Sequence, residues 1–338
     1  MYTRRNVRWG VILRFAWLKV ILFSIWSSIV VLFFLFMDQH GWDISMPLAP
    51  LGTIGVAVAF YVGFKNNQAY DRFWEARKIW GGIVNVSRSW GNQVISYVSA
   101  ATESDEVDRQ EVLEVHKTLI YRHMGWLTAL RCQLRRKTPW GFQPTGSAKR
   151  FMQPTDPEAL RQQAIEFLVE EELPLICSSK NSATQILRFQ GEHLRRLIEG
   201  KPKLIEEFRF ISMMDLITEM YTLQGKCERI KNTPFPRQYA YFSNVFVWIF
   251  SILMPFGIVG EFNDRPELIW LTVPLSVVIA WIFLTMEKVG DSSEDPFENF
   301  VNDVPMTALC RTIEIDLKQM IGEDELPDPV APVNDILM

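Results

Sequence analysis

The sequence predicts an all-α integral membrane protein with four transmembrane helices and a helical cytoplasmic bundle. Four uncharged apolar windows reach the roughly 20 residues that a helix needs to cross a bilayer. They cover residues 20–37, 44–64, 238–260 and 268–286. The polar region between the second and third windows keeps its apolar residues at helical spacing. No strand-length alternation, hairpin signal or repeat stands out along the chain, so only helices are expected.

The composition agrees with this class and argues against several functions. The 338 residues are 48% hydrophobic and include 12 Trp and 23 Phe, while a formal net charge of -4 gives no basic field to attract nucleic acid. The four cysteines form no C-x-x-C pair and the four histidines no H-E-x-x-H motif, so neither a disulfide framework nor a metal site is predicted. Nucleotide-binding and nucleophile motifs do not stand out either. We therefore predict a protein that is not an enzyme and needs no cofactor.

Basic residues are concentrated before the first apolar window. Five of them precede it: Arg4, Arg5, Arg8, Arg14 and Lys19. The short connections at residues 38–43 and 261–267 contain one basic residue between them, Arg265. The positive-inside bias therefore predicts that both termini and the whole middle region are cytoplasmic. The first window is too long for a signal peptide and no small-residue cleavage site follows it, so it is predicted to be an anchor.

We divide the chain into four parts on this basis. Residues 1–64 should form an interfacial helix, over residues 1–19, and the first membrane hairpin. Residues 65–237 should form the cytoplasmic helical region and residues 238–287 the second hairpin. Residues 288–338 should form a cytoplasmic segment whose acidic, proline-rich tail, from Gly322, is extended and is a candidate for contact with a neighbouring subunit.

The cytoplasmic region itself divides into helices and loops. Helices are predicted over residues 105–134, 157–173, 181–199 and 203–230, with a loop over 138–155. Asp156 and Pro157 give the second of these helices an N-cap followed by proline at the first helical position. Four basic residues crowd the end of the first: Arg131, Arg135, Arg136 and Lys137. We favour a role for them at the negative end of the helix dipole over phosphate binding, because no Gly-rich loop accompanies them.

The stretch from Pro50 to Gly81 is the most informative part of the sequence. No Pro or Gly interrupts residues 64–79, so one helix is predicted to pass from the membrane into water. Two stripes lie side by side on its apolar half at helical spacing. The first is made of small residues, the pattern that lets membrane helices approach closely: Gly55, Ala59 and Gly63. The second is bulky and apolar: Val56, Phe60 and Phe64.

Ordinary packing of membrane helices explains both stripes, and a hydrophobic pore constriction is the alternative for the bulky one. The apolar windows contain no ionisable acid or base, which argues against proton relays and ion-coupled transport. A narrow apolar constriction gates ion flow by dewetting and needs no charge. Four spans are too few to enclose a pore with the bulky stripe facing it, so this alternative requires a ring of subunits.

Several motifs resemble those of bacterial bestrophin-like proteins. The most specific are residues 63–81, with the sequence GFKNNQAYDRFWEARKIWG, and residues 227–234, with the sequence CERIKNTP. Residues 255–257 (PFG), 294–297 (EDPF) and 302–305 (NDVP) follow in the same order along the chain. The long loop at residues 138–155 and Glu298, where glycine is expected after Pro-Phe, depart from the pattern.

This resemblance implies a homopentameric ion channel in the bacterial inner membrane, with membrane lipids and small monovalent ions as its partners. It implies that Val56, Phe60 and Phe64 line a narrow membrane-level neck, and that Ile211 forms a second, cytosolic constriction. Animal bestrophins bind calcium through consecutive aspartates after Pro-Phe-Gly. Here the acids are interrupted by Phe300 and Val301, so we predict conduction that does not require calcium.

The resemblance does not fix the ion. Phe60 and Phe64 can turn positive ring edges toward an axis, and Lys65 is expected to add positive charge at the cytoplasmic mouth, while Asp71 and Glu75 act in the opposite direction. We favour chloride over sodium or potassium. A monovalent-cation channel of the same family is one alternative, and a non-conducting membrane-anchored interaction module is the other.

Overall fold

The computed structural model describes residues 1–4, 6, 9–99, 109–139 and 162–338, and the regular structure in this part of the chain is helical. The helices are α1 (Trp9–Asp38), α2 (Leu48–Tyr97), α3 (Arg109–Leu134), α4 (Leu173–Ser178), α5 (Ser182–Glu199), α6 (Glu207–Asn232), α7 (Arg237–Gly260), α8 (Thr272–Ser293) and α9 (Met306–Met320). Short 3-10 helices cover Glu170–Glu172 and Pro266–Leu271. The all-α prediction is confirmed.

Four helical segments of the described chain are long and apolar enough to cross a membrane. They are Ala16–Asp38, Leu48–Tyr97, Arg237–Gly260 and Pro266–Ser293. Three of them contain their predicted windows, and the second begins at Leu48, four residues after the start of the predicted window at residue 44. α1 and α7 pack against α8, and α2 packs against both α7 and α8. Phe23, Val62, Phe250 and Leu284 lie in the apolar core that these four helices share.

The outward face of α1 is apolar over the thickness of a bilayer. Its exposed side chains run from Trp17 to Phe36, a distance of about 29 Å at 1.5 Å per residue. The hydrocarbon core of a membrane is about 30 Å thick, so this face matches the length that contact with lipid requires. α1 runs without a break from Trp9 to Asp38, so within residues 9–19 no boundary separates the predicted interfacial helix from the first span.

α2 connects the apolar helices to the polar helical bundle. The helix has 50 residues and is therefore about 75 Å long. The predicted passage from membrane to water in a single helix is confirmed, and the helix continues 16 residues beyond Gly81 to Tyr97. Its C-terminal half packs against α3, α6 and α9. Trp80, Trp90 and Trp126 are fully buried in the core of this bundle, so the two cores are joined by one rigid element.

Two predicted helices differ from the structure. The helix predicted over residues 157–173 is wrong in its described part: only residues 162–165 are α-helical, and Leu173 begins α4 where the predicted helix ended. Buried Glu172 receives hydrogen bonds from Arg122 over 2.7 and 3.0 Å, and a proline in the first turn of α4 opens a new helix. α6 begins at Glu207, four residues later than predicted, because Leu204 and Ile205 are buried in a non-helical segment.

The acidic tail after α9 has little regular structure, as predicted, but its end contacts its own chain. Ile336 forms an isolated antiparallel bridge with Tyr2, and Leu337 N donates to Met1 O over 2.8 Å. Ala308 N at the start of α9 donates to Met338 O over 2.8 Å. The two chain termini therefore lie together beside α9.

Candidate pore surface

The long helix α2 has a buried face and, on the opposite side, a row of exposed residues. One face is buried against the rest of the chain, and its members recur at helical spacing: Leu51, Gly55, Val58, Val62, Lys65, Ala69, Ala76, Trp80, Ile83, Ser87, Trp90 and Val94. On the opposite side, residues at the same spacing are exposed: Val56, Phe60, Phe64, Asn67, Asp71, Trp74, Lys78, Asn85, Ser89, Asn92 and Ser96. We call the second set the exposed stripe.

The three predicted neck residues all lie on the exposed stripe. Val56 is 70% exposed, Phe60 67% and Phe64 50%, although each is a large apolar side chain. The rings of Phe60 and Phe64 pack edge to face, with centroids 4.7 Å apart and planes at 82°. None of the three therefore belongs to the core of its own subunit.

The apolar part of the exposed stripe is too short to be a face in contact with lipid. Val56 and Phe64 are eight residues apart, which is about 12 Å along the helix. Exposed Thr53 lies one turn before Val56 and exposed Asn67 one turn after Phe64. A lipid-facing helix needs about 30 Å of apolar surface, which α1 has and this stripe does not. A short apolar band with polar groups at both ends is instead typical of a constriction in an aqueous path.

Beyond Phe64 the exposed stripe continues with mostly polar side chains. Asparagine and serine dominate, at Asn67, Asn85, Ser89, Asn92 and Ser96. One acidic and one basic residue are included, Asp71 and Lys78. Trp74 is the large apolar exception, and its ring stacks on Tyr70 at 5° between planes. The same face of α2 that exposes the predicted neck residues is therefore hydrophilic about 45 Å further along the helix, at Asn92 and Ser96.

The stripe of small residues on α2 has two different environments. A Cβ atom at Gly55 would lie 2.8 Å from the Phe250 ring of α7, so a helix does approach closely at this point. At Gly63 a Cβ atom would meet nothing within 4 Å. The predicted close packing is therefore present at Gly55 within the subunit and absent at Gly63 among the described residues.

Lys65 does not face the exposed stripe, and this overturns its predicted role at the cytoplasmic mouth. Its side chain is 1% exposed, and Nζ donates to Glu287 Oε1 and to Asp291 Oδ1, each over 2.5 Å. Ser243 of α7 donates to the other oxygen of Glu287 over 2.6 Å. The reason is helical geometry, because Lys65 is about 100° round the helix from Phe64 and so falls on the buried face. Its charge is balanced inside the protein.

The predicted cytosolic constriction residue Ile211 lies at the far end of the exposed stripe. It is 55% exposed near the start of α6, and the next residue, Ser212, accepts a hydrogen bond from Gln93 of α2 over 3.1 Å. Gln93 is about 44 Å along α2 from Phe64. The structure therefore separates Ile211 widely from the neck. Phe208, one turn earlier, is 80% exposed and was not predicted as a site residue, although its helical spacing from Ile211 was visible in the sequence.

The acids between α8 and α9 pair with basic residues from three helices. Glu294 lies 2.8 Å from Arg237, Asp295 3.6 Å from Arg72, and Glu298 2.5 Å from Lys231. Burial raises the pKa of Glu294 to about 7 and raises the pKa of Glu298. These carboxylates therefore tie the segment to α7, α2 and α6.

Asp303 accepts a hydrogen bond from the backbone of the same segment. Its Oδ2 atom accepts a hydrogen bond from Phe300 N over 3.0 Å, and burial raises the pKa of the carboxyl to about 8. Asn299, next to the expected glycine position at Glu298, adopts a left-handed backbone conformation with φ of 70°. Asparagine tolerates this conformation better than most residues. Glu298 can therefore occupy the position where glycine was expected and pair with Lys231.

Comparison with known proteins identifies the family of this chain. A family model described as bacterial/fungal bestrophin protein matches residues 5–319. The chain belongs to the bacterial and fungal bestrophin family. A crystal structure of a bacterial bestrophin homolog from Klebsiella pneumoniae is similar to this bestrophin at a TM-score of 0.74 and 26% identity, and the match covers 91% of this chain and 99% of that one.

Two relatives of this bestrophin have names that describe an activity. Voltage-dependent anion channel-forming protein YneE of Escherichia coli K12 is 30% identical over 305 residues, which cover 90% of this chain and 86% of that protein. Voltage-dependent anion channel-forming protein RSc3414 of Ralstonia nicotianae is 28% identical over 289 residues, which cover 85% of this chain and 82% of the relative.

Proposed function

We propose that this bestrophin is a homopentameric anion channel of the bacterial inner membrane, with chloride as a favoured ion. The observation that carries the proposal is the exposed stripe of α2, which has a short apolar band at Val56, Phe60 and Phe64 and a long polar continuation. A subunit alone would leave this band in water or lipid, whereas a ring of subunits turns it toward an axis. The names of the relatives from Escherichia coli and Ralstonia support anion conduction.

The proposed gate works by exclusion of water. Five copies of Val56, Phe60 and Phe64 would form three successive apolar rings over about 12 Å. An ion that enters such a neck loses part of its hydration and gains no polar ligand in return, so the neck resists conduction while it is dry. The polar continuation at Asn67 and beyond keeps the cytoplasmic part of the path hydrated. Ile211 would form a second constriction at the far end of that path.

The preference for anions does not rest on Lys65, because that charge is paired. It rests on the names of the relatives and on the aromatic rings, whose positive edges attract a weakly hydrated anion. Asp71, which is exposed one turn after Asn67 on the same stripe, favours cations instead. A sodium or potassium channel is therefore the second candidate function. Asp71→Asn separates the two, since it raises chloride selectivity if this carboxylate lies in the path.

Planar bilayers with the purified protein test the proposal directly. In asymmetric potassium chloride, an anion channel has a reversal potential near the chloride equilibrium potential, and replacement of potassium leaves it unchanged. A reversal potential that follows sodium or potassium favours the second candidate. Complete absence of current from an assembled oligomer would favour the non-conducting interaction module, in which the exposed stripe contacts a partner protein.

The proposed orientation has both termini and the bundle of α3, α5, α6 and α9 in the cytoplasm. It follows from the concentration of basic residues before the first span. In a cysteine-free background, cysteines at Gly41 and Asn263 should react with an impermeant reagent from outside the cell, and a cysteine at Gly200 only after permeabilisation. The reverse labelling pattern would contradict the orientation.

A further inference from the structure

Two guanidinium groups at the C-terminal end of α3 are buried or partly buried, and within the described part of the chain they donate to neutral oxygens only. Arg131 is 6% exposed, and its Nη2 donates to Gln163 Oε1 over 2.8 Å. Arg135 donates from Nη2 to Thr307 Oγ1 of α9 over 2.7 Å. The Nε–H group of each arginine is buried without a hydrogen-bond partner in the described part of the chain. Simple contact with the helix dipole, which the sequence favoured, does not require this burial.

The positive charge of this pair is not balanced by a contacting acid. Among the described residues, neither guanidinium forms an ion pair with a carboxylate. Burial and the charge of Arg131 lower the pKa of Arg135 to about 10. Asp303 acts on Arg135 from a distance, but burial raises the pKa of its carboxyl to about 8, which weakens its negative charge at neutral pH. A buried cation without a paired anion is costly, so the pair favours a bound anion.

A cavity of about 330 Å³ lies against Arg131, between α3 and α9. This volume is many times what one water molecule needs. The hydrogen-bond donors on its wall are Thr128, Arg131, Gln163, Thr307 and Arg311. Glu314 also lines it, but its carboxylate pairs with Arg311 at 3.1 Å and with Lys318 at 3.2 Å. The wall is therefore rich in donors, with Arg131 and Arg311 as its cations and Glu166 and Glu314 as its carboxylates.

We propose that this cavity binds a tetrahedral oxyanion, either free phosphate or the phosphate group of a small metabolite. Arg131 lines the cavity, and its planar guanidinium offers N–H donors whose geometry matches phosphate oxygens. Thr307 and Arg311 add donors from α9. A bound oxyanion would connect α3 to α9 and thereby stabilise the cytoplasmic bundle. This inference goes beyond the proposed conduction and does not depend on it.

Glu166 gives the proposal a sharp test, because it lines the same cavity from an exposed position. Its carboxylate repels an anion in the cavity. Neutralising it should therefore strengthen phosphate binding. If the arginines had only a structural role, neutralising Glu166 would not change the affinity for phosphate. Arg195 is a matched control for the arginines, since it is exposed, pairs with Glu199 at 2.9 Å and does not line the cavity.

The experiment is a thermal-unfolding titration of the detergent-solubilised full-length protein with inorganic phosphate at constant ionic strength and pH. The unfolding temperature should rise with phosphate in the wild type and in Arg195→Gln, because a ligand that binds the native state stabilises it. Arg131→Gln should weaken the apparent affinity at least about tenfold, as expected for loss of a charged hydrogen-bond donor. Glu166→Gln should strengthen it. A parallel titration with glycerol phosphate identifies the source, since tighter binding of the ester indicates a metabolite and tighter binding of phosphate the free ion.

Two results would overturn the proposal. The first is no rise in the unfolding temperature of the wild type up to about 10 mM phosphate, where even a millimolar site is mostly filled. The second is an equal rise in the wild type, Arg131→Gln and Glu166→Gln, which would place the effect elsewhere. If Arg131→Gln does not fold, the test depends on Glu166→Gln. If that variant binds phosphate no more tightly than the wild type, the proposed site is contradicted.

Discussion

Lys65 Nζ lies 2.5 Å from Glu287 Oε1, and the two residues are the charges that directly follow the second and fourth apolar windows. Both side chains are buried, although each marks the end of a window in the sequence. The pair fixes α2 to α8 directly below Phe64. A Cβ atom at Gly290 would come within 2.2 Å of Asn66 Oδ1, which shows how closely the two helices approach there. Phe64, the last of the three predicted neck residues, is thus followed directly by an ion pair that joins α2 to α8.

Lys65→Met should destabilise the protein by about 3 kcal/mol or more, because it leaves Glu287 as a buried charge without its partner. The unfolding temperature in detergent measures the effect. Lys65→Met combined with Glu287→Met should recover part of the loss, since the pair is then replaced by apolar side chains of similar size. Arg195→Met, at an exposed ion pair, should change stability by less than about 1 kcal/mol. A double variant no more stable than the single one would contradict the direct coupling of Lys65 with Glu287.

Phe60→Ala and Phe64→Ala should each raise single-channel conductance or resting open probability, because a wider neck stays hydrated. Ile211→Ala should alter permeation less, since that residue lies at the end of a polar surface. Bilayer recordings of the assembled oligomers measure both. Unchanged currents in the neck variants would mean that the apolar band of the exposed stripe packs against another surface.

Gly55→Ala and Gly63→Ala should have opposite effects on stability. The added methyl group at Gly55 meets the Phe250 ring at 2.8 Å, and overpacking of this kind costs about 1–3 kcal/mol. At Gly63 the methyl group meets nothing within 4 Å in the described chain, so alanine should be neutral or stabilising by up to about 1 kcal/mol. Thermal unfolding and size-exclusion chromatography check both. Loss of the oligomer in Gly63→Ala would assign that position to a contact between subunits.

Asp303 should contribute a loss of stability as the pH rises from its ordinary pKa of 3.8 to its folded pKa of about 8. Its folded pKa of about 8 is above its unfolded value, so over this range the native state holds a proton that the unfolded state has lost. Each pH unit then costs up to about 1.4 kcal/mol. The N-terminal amine, whose pKa burial lowers to about 6, acts in the opposite direction and is present in both proteins of the comparison. Unfolding temperatures of Asp303→Asn should fall less steeply than those of the wild type, and parallel pH curves would contradict this assignment.

Conduction should not depend on calcium. Glu294, Asp295 and Glu298 pair with Arg237, Arg72 and Lys231, so a calcium ion would have to displace three cations to collect the oxygens that it needs. Currents recorded with micromolar calcium and with a chelator should be equal. A steep rise of open probability with calcium that is lost in Glu298→Ala or Asp303→Ala would show that this segment binds the ion in another arrangement.

The sequence by itself determined the features that depend on local period and hydropathy. The four membrane helices, the continuity of α2 and the helix over residues 181–199, observed as Ser182–Glu199, were all predicted. The single helical face shared by Val56, Phe60 and Phe64 was predicted in the same way. Each of these features is set by residues close in the chain, so spacing and polarity are sufficient to indicate them.

Only the tertiary structure decided the features in which distant residues compete for partners. Lys65 could face an aqueous path or the core, and the choice depends on Glu287 and Asp291, more than 200 residues away. The predicted helix over residues 157–173 failed because Glu172 is drawn into a buried pair with Arg122. Burial of Arg131 depends likewise on the packing of α9 against α3. A side chain's charge is visible in the sequence, but whether that charge is solvated, paired or left to bind a ligand depends on the fold.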